Sequence, residues 1–192
     1  QEIGNYDVTH VAEDQNGCKD TLSKSSYVNI GINTITIEAS DTVVCAGTAV
    51  QFVANASSNS SILWDYGTGE FSSQQNPLYT FNFPGTYQVT ANINDPSGCT
   101  SLLSLEIVVN EVPFVSFGTT DTTLGCSIPF EVNFTNQTTG ASSYVWLFGD
   151  GGNSTSVSPT HFYTLEDTFD VTLIAISPNG CSRTIKKTEY IK

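Results

Sequence analysis

Methionine is absent from this 192-residue sequence, lysine and arginine together number six, and histidine occurs twice. Long helices draw heavily on Ala, Leu, Glu, Lys and Met, so the shortage argues against a helical protein. Charged residues are only 13% of the chain, about half the usual share. Thr, Ser and Asn take the polar positions instead, which suits exposed strand faces. The scarcity of cations excludes nucleic acid as a partner: the net charge is −13 and the longest basic run is Lys186-Lys187, whereas phosphate binding needs clustered cations. Anionic membrane surfaces would repel the chain for the same reason. The acidity fits solubility outside the cell, or weak concentration of divalent cations. No apolar run approaches 18 residues; Val145-Trp-Leu-Phe148 and Leu173-Ile-Ala-Ile176 are typical of the longest. A transmembrane helix, a signal-peptide core and direct membrane insertion are therefore not expected within these residues. Cys-x-x-Cys, His-Glu-x-x-His, Walker and Gly-x-Ser-x-Gly motifs are all missing, so the segment is read as non-enzymatic, with no catalytic residues.

What is present is a repeat. Gly-Cys occurs at 17–18, 98–99 and 180–181, at spacings of 81 and 82 positions. Twelve residues before each cysteine an aromatic opens an alternating run: Tyr6-Asp-Val-Thr9, Tyr87-Gln-Val-Thr90 and Phe169-Asp-Val-Thr172. Cys45 and Cys126 lie 81 apart, and Trp64 and Trp146 lie 82 apart. Three markers sharing one period imply tandem units. They place a partial unit at 1–31, a whole unit at 32–110 and another at 111–192. The chain starts at Gln1 rather than Met, so it is expected to have been cut from a longer one, partway through a repeat. Connections such as Asn29-Ile-Gly31 and Asn110-Glu-Val-Pro113 are short, which predicts a stiff linear rod.

Within a unit the pattern is that of strands. Tyr87, Val89, Ala91 and Ile93 alternate with polar residues, Asp95-Pro-Ser-Gly98 supplies a turn, and Leu103, Leu105, Ile107 and Val109 alternate again. Val50, Phe52 and Ala54 form a weaker phase blurred by Val53, with Phe130, Val132 and Phe134 as a cleaner counterpart. Short strands punctuated by Gly, Pro and Asn predict an all-β protein of tandem immunoglobulin-like β-sandwiches. Trp64, Trp146, Tyr87 and Phe169 are the expected core anchors.

The last unit carries Trp146-Leu-Phe-Gly-Asp-Gly151, Pro159-Thr-His-Phe-Tyr163 and Phe169-Asp-Val-Thr-Leu173. The middle unit carries Trp64-Asp-Tyr-Gly-Thr-Gly69, Pro77-Leu-Tyr-Thr-Phe81 and Gly85-Thr-Tyr-Gln-Val89. These motifs, in this order, resemble those of the PKD domain, the immunoglobulin-like repeat named after the polycystic kidney disease protein. Leu147, Thr68 and Tyr79 depart from its pattern, which argues against a shared catalytic use. His161 falls within the second motif, where a structural hydrogen bond is the expectation; His10 takes a phase where Ala91 and Leu173 point inward. The resemblance extends to giant surface adhesins and type IX secretion cargo of gliding Bacteroidota. It implies a non-catalytic spacer or adhesion stalk of a secreted or cell-surface protein. Two alternatives stand beside it: a polysaccharide- or protein-binding module attached to a secreted hydrolase, and a subunit of a self-assembling extracellular filament.

The cysteines of each whole unit recur at matching positions, 45 with 99 and 126 with 181. Disulfides Cys45–Cys99 and Cys126–Cys181 are therefore expected, leaving Cys18 unpaired within the chain. Closing each loop of roughly 55 residues would stabilise by about 4 kcal/mol on the chain-entropy model, and persistent disulfides imply an oxidising, extracellular compartment. No cofactor is expected. Asp150, Glu166 and Asp167 are the loose candidates for a structural Ca²⁺, which needs six to eight oxygens. Candidate N-glycosylation triplets begin at Asn55, Asn59, Asn133, Asn136 and Asn153. Asp-Thr followed by a small or apolar residue, at Thr21, Thr42 and Thr122, resembles the O-glycosylation signal of Bacteroidota. The expected partners are neighbouring repeats, with surface glycans or other cell-surface proteins beyond them.

Overall fold

The computed structural model describes residues 4–30, 35–96, 98–121, 123–125 and 127–192, and every regular element among them is a strand. Thr122, Cys126 and positions 31–34, around the first expected boundary, lie outside the described residues. Strands β1 (Gly4–Glu13) and β2 (Lys19–Ile30) form an antiparallel hairpin, a two-stranded sheet among the described residues. The next strands are β3 (Thr36–Ala39), β4 (Val43–Cys45), β5 (Ala49–Asn55), β6 (Ser61–Asp65), β7 (Phe71–Ser72), β8 (Leu78–Thr80), β9 (Gly85–Asn94) and β10 (Thr100–Asn110). They divide into a five-stranded sheet ordered β4-β10-β9-β6-β7 and a three-stranded sheet ordered β3-β5-β8. The last group is β11 (Phe117–Thr119), β12 (Phe130–Asn136), β13 (Ser143–Leu147), β14 (Asn153–Ser154), β15 (Thr160–Tyr163), β16 (Phe169–Ile176) and β17 (Ser182–Ile191). It repeats the plan with sheets β14-β13-β16-β17 and β11-β12-β15.

Each sandwich forms because the alternating side chains of two sheets meet. On β5 the blurred phase resolves as Val50, Phe52 and Ala54 inward, with Val53 only partly buried. Val89, Ala91 and Ile93 of β9 face them, around Trp64 and Phe81, all buried. The second core is built likewise from Val132, Phe134, Val171, Leu173 and Ala175 around Trp146 and Tyr163. Counting by the 82-residue period, Ala91 and Ile93 stand where Leu173 and Ala175 stand. Small and large side chains have exchanged places, which keeps the filled volume similar. Tyr87 and Phe169 differ at the edge: Phe169 is buried, whereas Tyr87 is half-buried and donates its hydroxyl to the Phe83 carbonyl at 2.9 Å.

The cysteine pairing differs from expectation. The disulfide joins Cys45 to Cys181, 136 positions apart, and Cys99 is an exposed free thiol, as is Cys18. Cys45–Cys99 is therefore not a bond of this fold. Cys45 sits beside Asn110 at the last residue of β10, while Cys99 immediately precedes the first. Eleven residues of strand separate the two ends, about 36 Å at roughly 3.3 Å per residue. A disulfide needs Cα atoms within about 7 Å. The expected Cys126–Cys181 pair fails because Cys181 is already bonded; Cys126 itself lies outside the described residues.

Candidate functional site

Two features are candidates for function: an aromatic turn that recurs in each sandwich and the junction between the two.

In the second sandwich, strand β13 ends in Phe148-Gly-Asp-Gly151, which turns back into β14. Gly149 has φ +91°, and a Cβ there would lie 2.6 Å from the Asp170 carbonyl oxygen. Only glycine fits both the left-handed backbone and the close approach. The turn aims Asp150 at His161 of β15, with His161 Nε2 2.7 Å from Asp150 Oδ2. The imidazole also stacks on Phe148 at 4.0 Å between ring centres. Asp150 Oδ1 accepts the Gly152 N–H at 2.9 Å. Partial burial works to raise the Asp150 pKa, but the His161 and Gly152 hydrogen bonds outweigh it and hold the carboxyl below its usual value. Tyr163 donates to the Phe148 carbonyl at 3.1 Å, and burial pushes its phenol well above the ordinary range.

The first sandwich has the same turn with different chemistry. Thr68 Oγ1 lies 2.8 Å from the Tyr79 hydroxyl, and Tyr79 stacks on Tyr66 at 3.8 Å. The pair Thr68–Tyr79 thus replaces Asp150–His161, and Tyr66 replaces Phe148. The two departures from the family motif are one coordinated change. In both sandwiches the buried tryptophan donates its N–H to a carbonyl ten residues on, Trp64 to Gln74 at 3.1 Å and Trp146 to Ser156 at 3.0 Å. Each pair ties the turn to a neighbouring strand, one through a threonine and a tyrosine hydroxyl and the other through a carboxylate and an imidazole. His161 is a structural ligand of the turn, and His10 lies exposed on the hairpin.

The calcium candidates have different surroundings. Asp150 is engaged by His161, whereas Glu166 and Asp167 line a separate cleft with Phe130, Leu165 and Lys192. Among the described residues no group of three His, Cys, Asp or Glu side chains could hold a metal. Of the glycan candidates, Asn55, Asn59, Asn153, Thr21 and Thr42 are exposed, and Asn133 is half-buried. The Asn136 side-chain nitrogen, where a glycan would attach, is buried without a hydrogen-bond partner. Thr122 lies outside the described residues.

The junction is the feature that sequence reasoning missed. Cys181 occupies the β16–β17 turn of one sandwich, and Cys45 the end of β4 in the other. Beside the bond, Asn179 donates its amide to Asn110 Oδ1 at 3.1 Å, and the Asn110 carbonyl accepts the Ala46 N–H at 2.9 Å. Cys181 is buried there, 1% exposed. A signal was available: the alternating run after Cys99 leads away from it for eleven residues toward the boundary, where Cys45 pairs.

Residues 34–109 match one model described as a PKD domain, and residues 110–192 match a second. Among solved structures, the chain is similar to the PKD1 domain of the Vibrio cholerae metalloprotease PrtV. The identity is 27%, over 42% of this chain and 98% of that one, with a TM-score of 0.36. It is also similar to the PKD1 domain of Vibrio anguillarum Epp, at 24% identity over 43% and 96%, TM-score 0.37. Fibronectin(III)-like modules of Clostridium thermocellum CbhA align at 13% identity over 82% and 94%, TM-score 0.40.

Proposed function

This chain belongs to the PKD family through two tandem domains, modules commonly non-catalytic and usually found in extracellular proteins; from that premise we propose that it is a disulfide-stapled spacer of a large secreted or cell-surface protein. The observation that carries the reading is the Cys45–Cys181 bond across the junction. A covalent link between consecutive sandwiches, reinforced by Asn179–Asn110, restricts their relative orientation. It also routes tension past most of both sandwiches, because the closed loop spans 136 positions. On the chain-entropy model such a loop is worth about 5 kcal/mol when both repeats unfold together. The buried tryptophans favour this role over carbohydrate binding, since neither offers an exposed aromatic platform.

Residual dipolar couplings test the proposal. Both sandwiches of the oxidised protein should share one alignment tensor, and reduction should separate them. Independent tumbling of the oxidised repeats would overturn the spacer reading. Pulling from the two ends gives a second readout: reduction should release the 136-residue loop, about 450–490 Å of extra contour length at roughly 3.3–3.6 Å per residue.

A second reading, a self-assembling filament subunit, is favoured by one observation. Val8, Val11, Leu22, Tyr27 and Val28 of the hairpin are exposed, and strands of another copy could cover them. Equal sedimentation of 1–192 and 32–192 as monomers would dispose of it. The Bacteroidota surface-adhesin setting, with glycans at Thr21 and Thr42, remains part of the proposal. Intact mass of the native protein, with or without added hexose, decides it.

A further inference from the structure

Cys99 occupies the same turn as Cys181 and lacks only the sandwich that would meet it. In the Cys181 turn, Ser177 N–H donates to the Cys181 carbonyl at 2.8 Å and Gly180 N–H to the Ser177 carbonyl at 3.0 Å, with Gly180 at φ +83°. In the Cys99 turn, Asp95 N–H donates to the Cys99 carbonyl at 2.8 Å and Gly98 N–H to the Asp95 carbonyl at 2.9 Å, with Gly98 at φ +89°. Each turn joins two long strands of its sandwich, β16 to β17 and β9 to β10. Cys181 is buried because the preceding sandwich delivers Cys45 to it. Cys99 is exposed, at the end of its own sandwich remote from Cys45.

We propose that Cys99 is one half of a second inter-repeat disulfide, whose other half is the Cys45-type cysteine of a preceding repeat. The inference rests on the spacer reading only in taking such repeats to follow one another. The bond forms by thiol–disulfide exchange with a small-molecule disulfide such as oxidised glutathione. One cysteine thiolate attacks it and expels one glutathione; the second thiolate then displaces the other. Two protein thiols and one glutathione disulfide become one protein disulfide and two glutathione thiols.

The consequence is an interlocked array. Each bond spans 136 positions while the repeat is 81 or 82, so consecutive bonds overlap. Tension entering at one bond leaves at Cys99, crosses the 27 positions to Cys126 and enters the next. The Cys99 bond carries into the preceding repeats the limit that Cys45–Cys181 already sets here: the 163 positions from Cys18 to Cys181 can extend by only the 27 between Cys18 and Cys45. That is about sixfold less than the unbonded chain at roughly 3.5 Å per residue.

The test joins two copies in one polypeptide, residues 30–192 following Lys192 directly. The first copy's Cys126 then precedes the second copy's Cys99 by the 136 positions that separate Cys45 from Cys181. After refolding in glutathione buffer, non-reducing digestion and mass spectrometry should find those two cysteines in one linked peptide. The second Cys99 should lose its alkylation by N-ethylmaleimide while the first Cys99 keeps it. A second Cys99 that stays alkylated, or that pairs with its own Cys45, overturns the proposal. The Cys45–Cys181 peptide in the same digest reports whether the chain folded. Should it be missing, the same digest of protein isolated from its source decides, with a free Cys99 there overturning the inference. Loss of the Cys99 bond with a shared alignment tensor would sink this inference and leave the spacer reading intact.

Discussion

The hairpin of β1 and β2 and the hairpin of β9 and β10 are written in nearly the same pattern, yet one is open to solvent and the other holds a core. Val8 stands where Val89 stands, 81 positions earlier. Val8 is 41% exposed and Val89 is fully buried. His10 is tolerated at the place of the buried Ala91 because its position on the hairpin is exposed. The same contrast holds for the turns: Cys18 and Cys99 are exposed, while Cys181 is buried. Alternation decides which residues share a face. Whether the face is buried depends on a second sheet being present, since a two-stranded hairpin alone is at best marginally stable.

The comparison can be broken most directly by placing a charge on each face. Val89→Asp should unfold the first sandwich, costing on the order of 4 kcal/mol or more. Val8→Asp should shift stability by no more than about 0.5 kcal/mol. Urea denaturation followed by Trp64 fluorescence separates the two, and equal effects would show that the hairpin is packed after all. Hydrogen exchange sharpens the point without mutation. Amides of β9 and β10 should exchange with the global unfolding of their sandwich, and those of β1 and β2 should be orders of magnitude faster, through local opening.

Smaller effects distinguish the two complete sandwiches. Asp150→Asn should cost the second about 1–2 kcal/mol, the range for a hydrogen bond to a charged group that is partly screened. Thr68→Val should cost the first about 1 kcal/mol, as for a neutral hydrogen bond. The pH dependence follows the same division. Folded Asp150 has a pKa held below 3.8, so its contribution is complete above that value and is lost as pH falls through the folded value. Asp121, whose carboxylate accepts the Asn133 N–H, and Asp170, which meets Lys186, are lowered in the same direction. The second sandwich should therefore soften before the first in an acid titration below about pH 4, read as separate transitions by calorimetry. Simultaneous loss would mean that the neutral Thr68–Tyr79 pair confers no acid resistance.

Much of the fold could be read in advance, because burial on one face of a strand imposes a period of two. Trp64, Trp146, Phe52 and Phe134 are where alternation and size place them. The turn chemistry was half legible. Phe148-Gly-Asp-Gly151 announces a turn, but the pairing of Asp150 with His161 depends on β15 lying beside it. The replacement of that pair by Thr68–Tyr79 reads as two unrelated departures until the side chains are seen to touch.

The cysteines mark the boundary between the two kinds of knowledge. Their period, and hence the tandem array of sandwiches, follows from the sequence alone, since equal spacing of Gly-Cys, aromatic and Trp markers needs no coordinates. Their partners do not. Spacings of 54 and 136 are both compatible with a bond, and the choice falls to the length of β10, which carries Cys99 and Cys45 to opposite ends of one sandwich. Cys45 is thereby left at the boundary, where the thiol that meets it among the described residues is Cys181 of the next repeat.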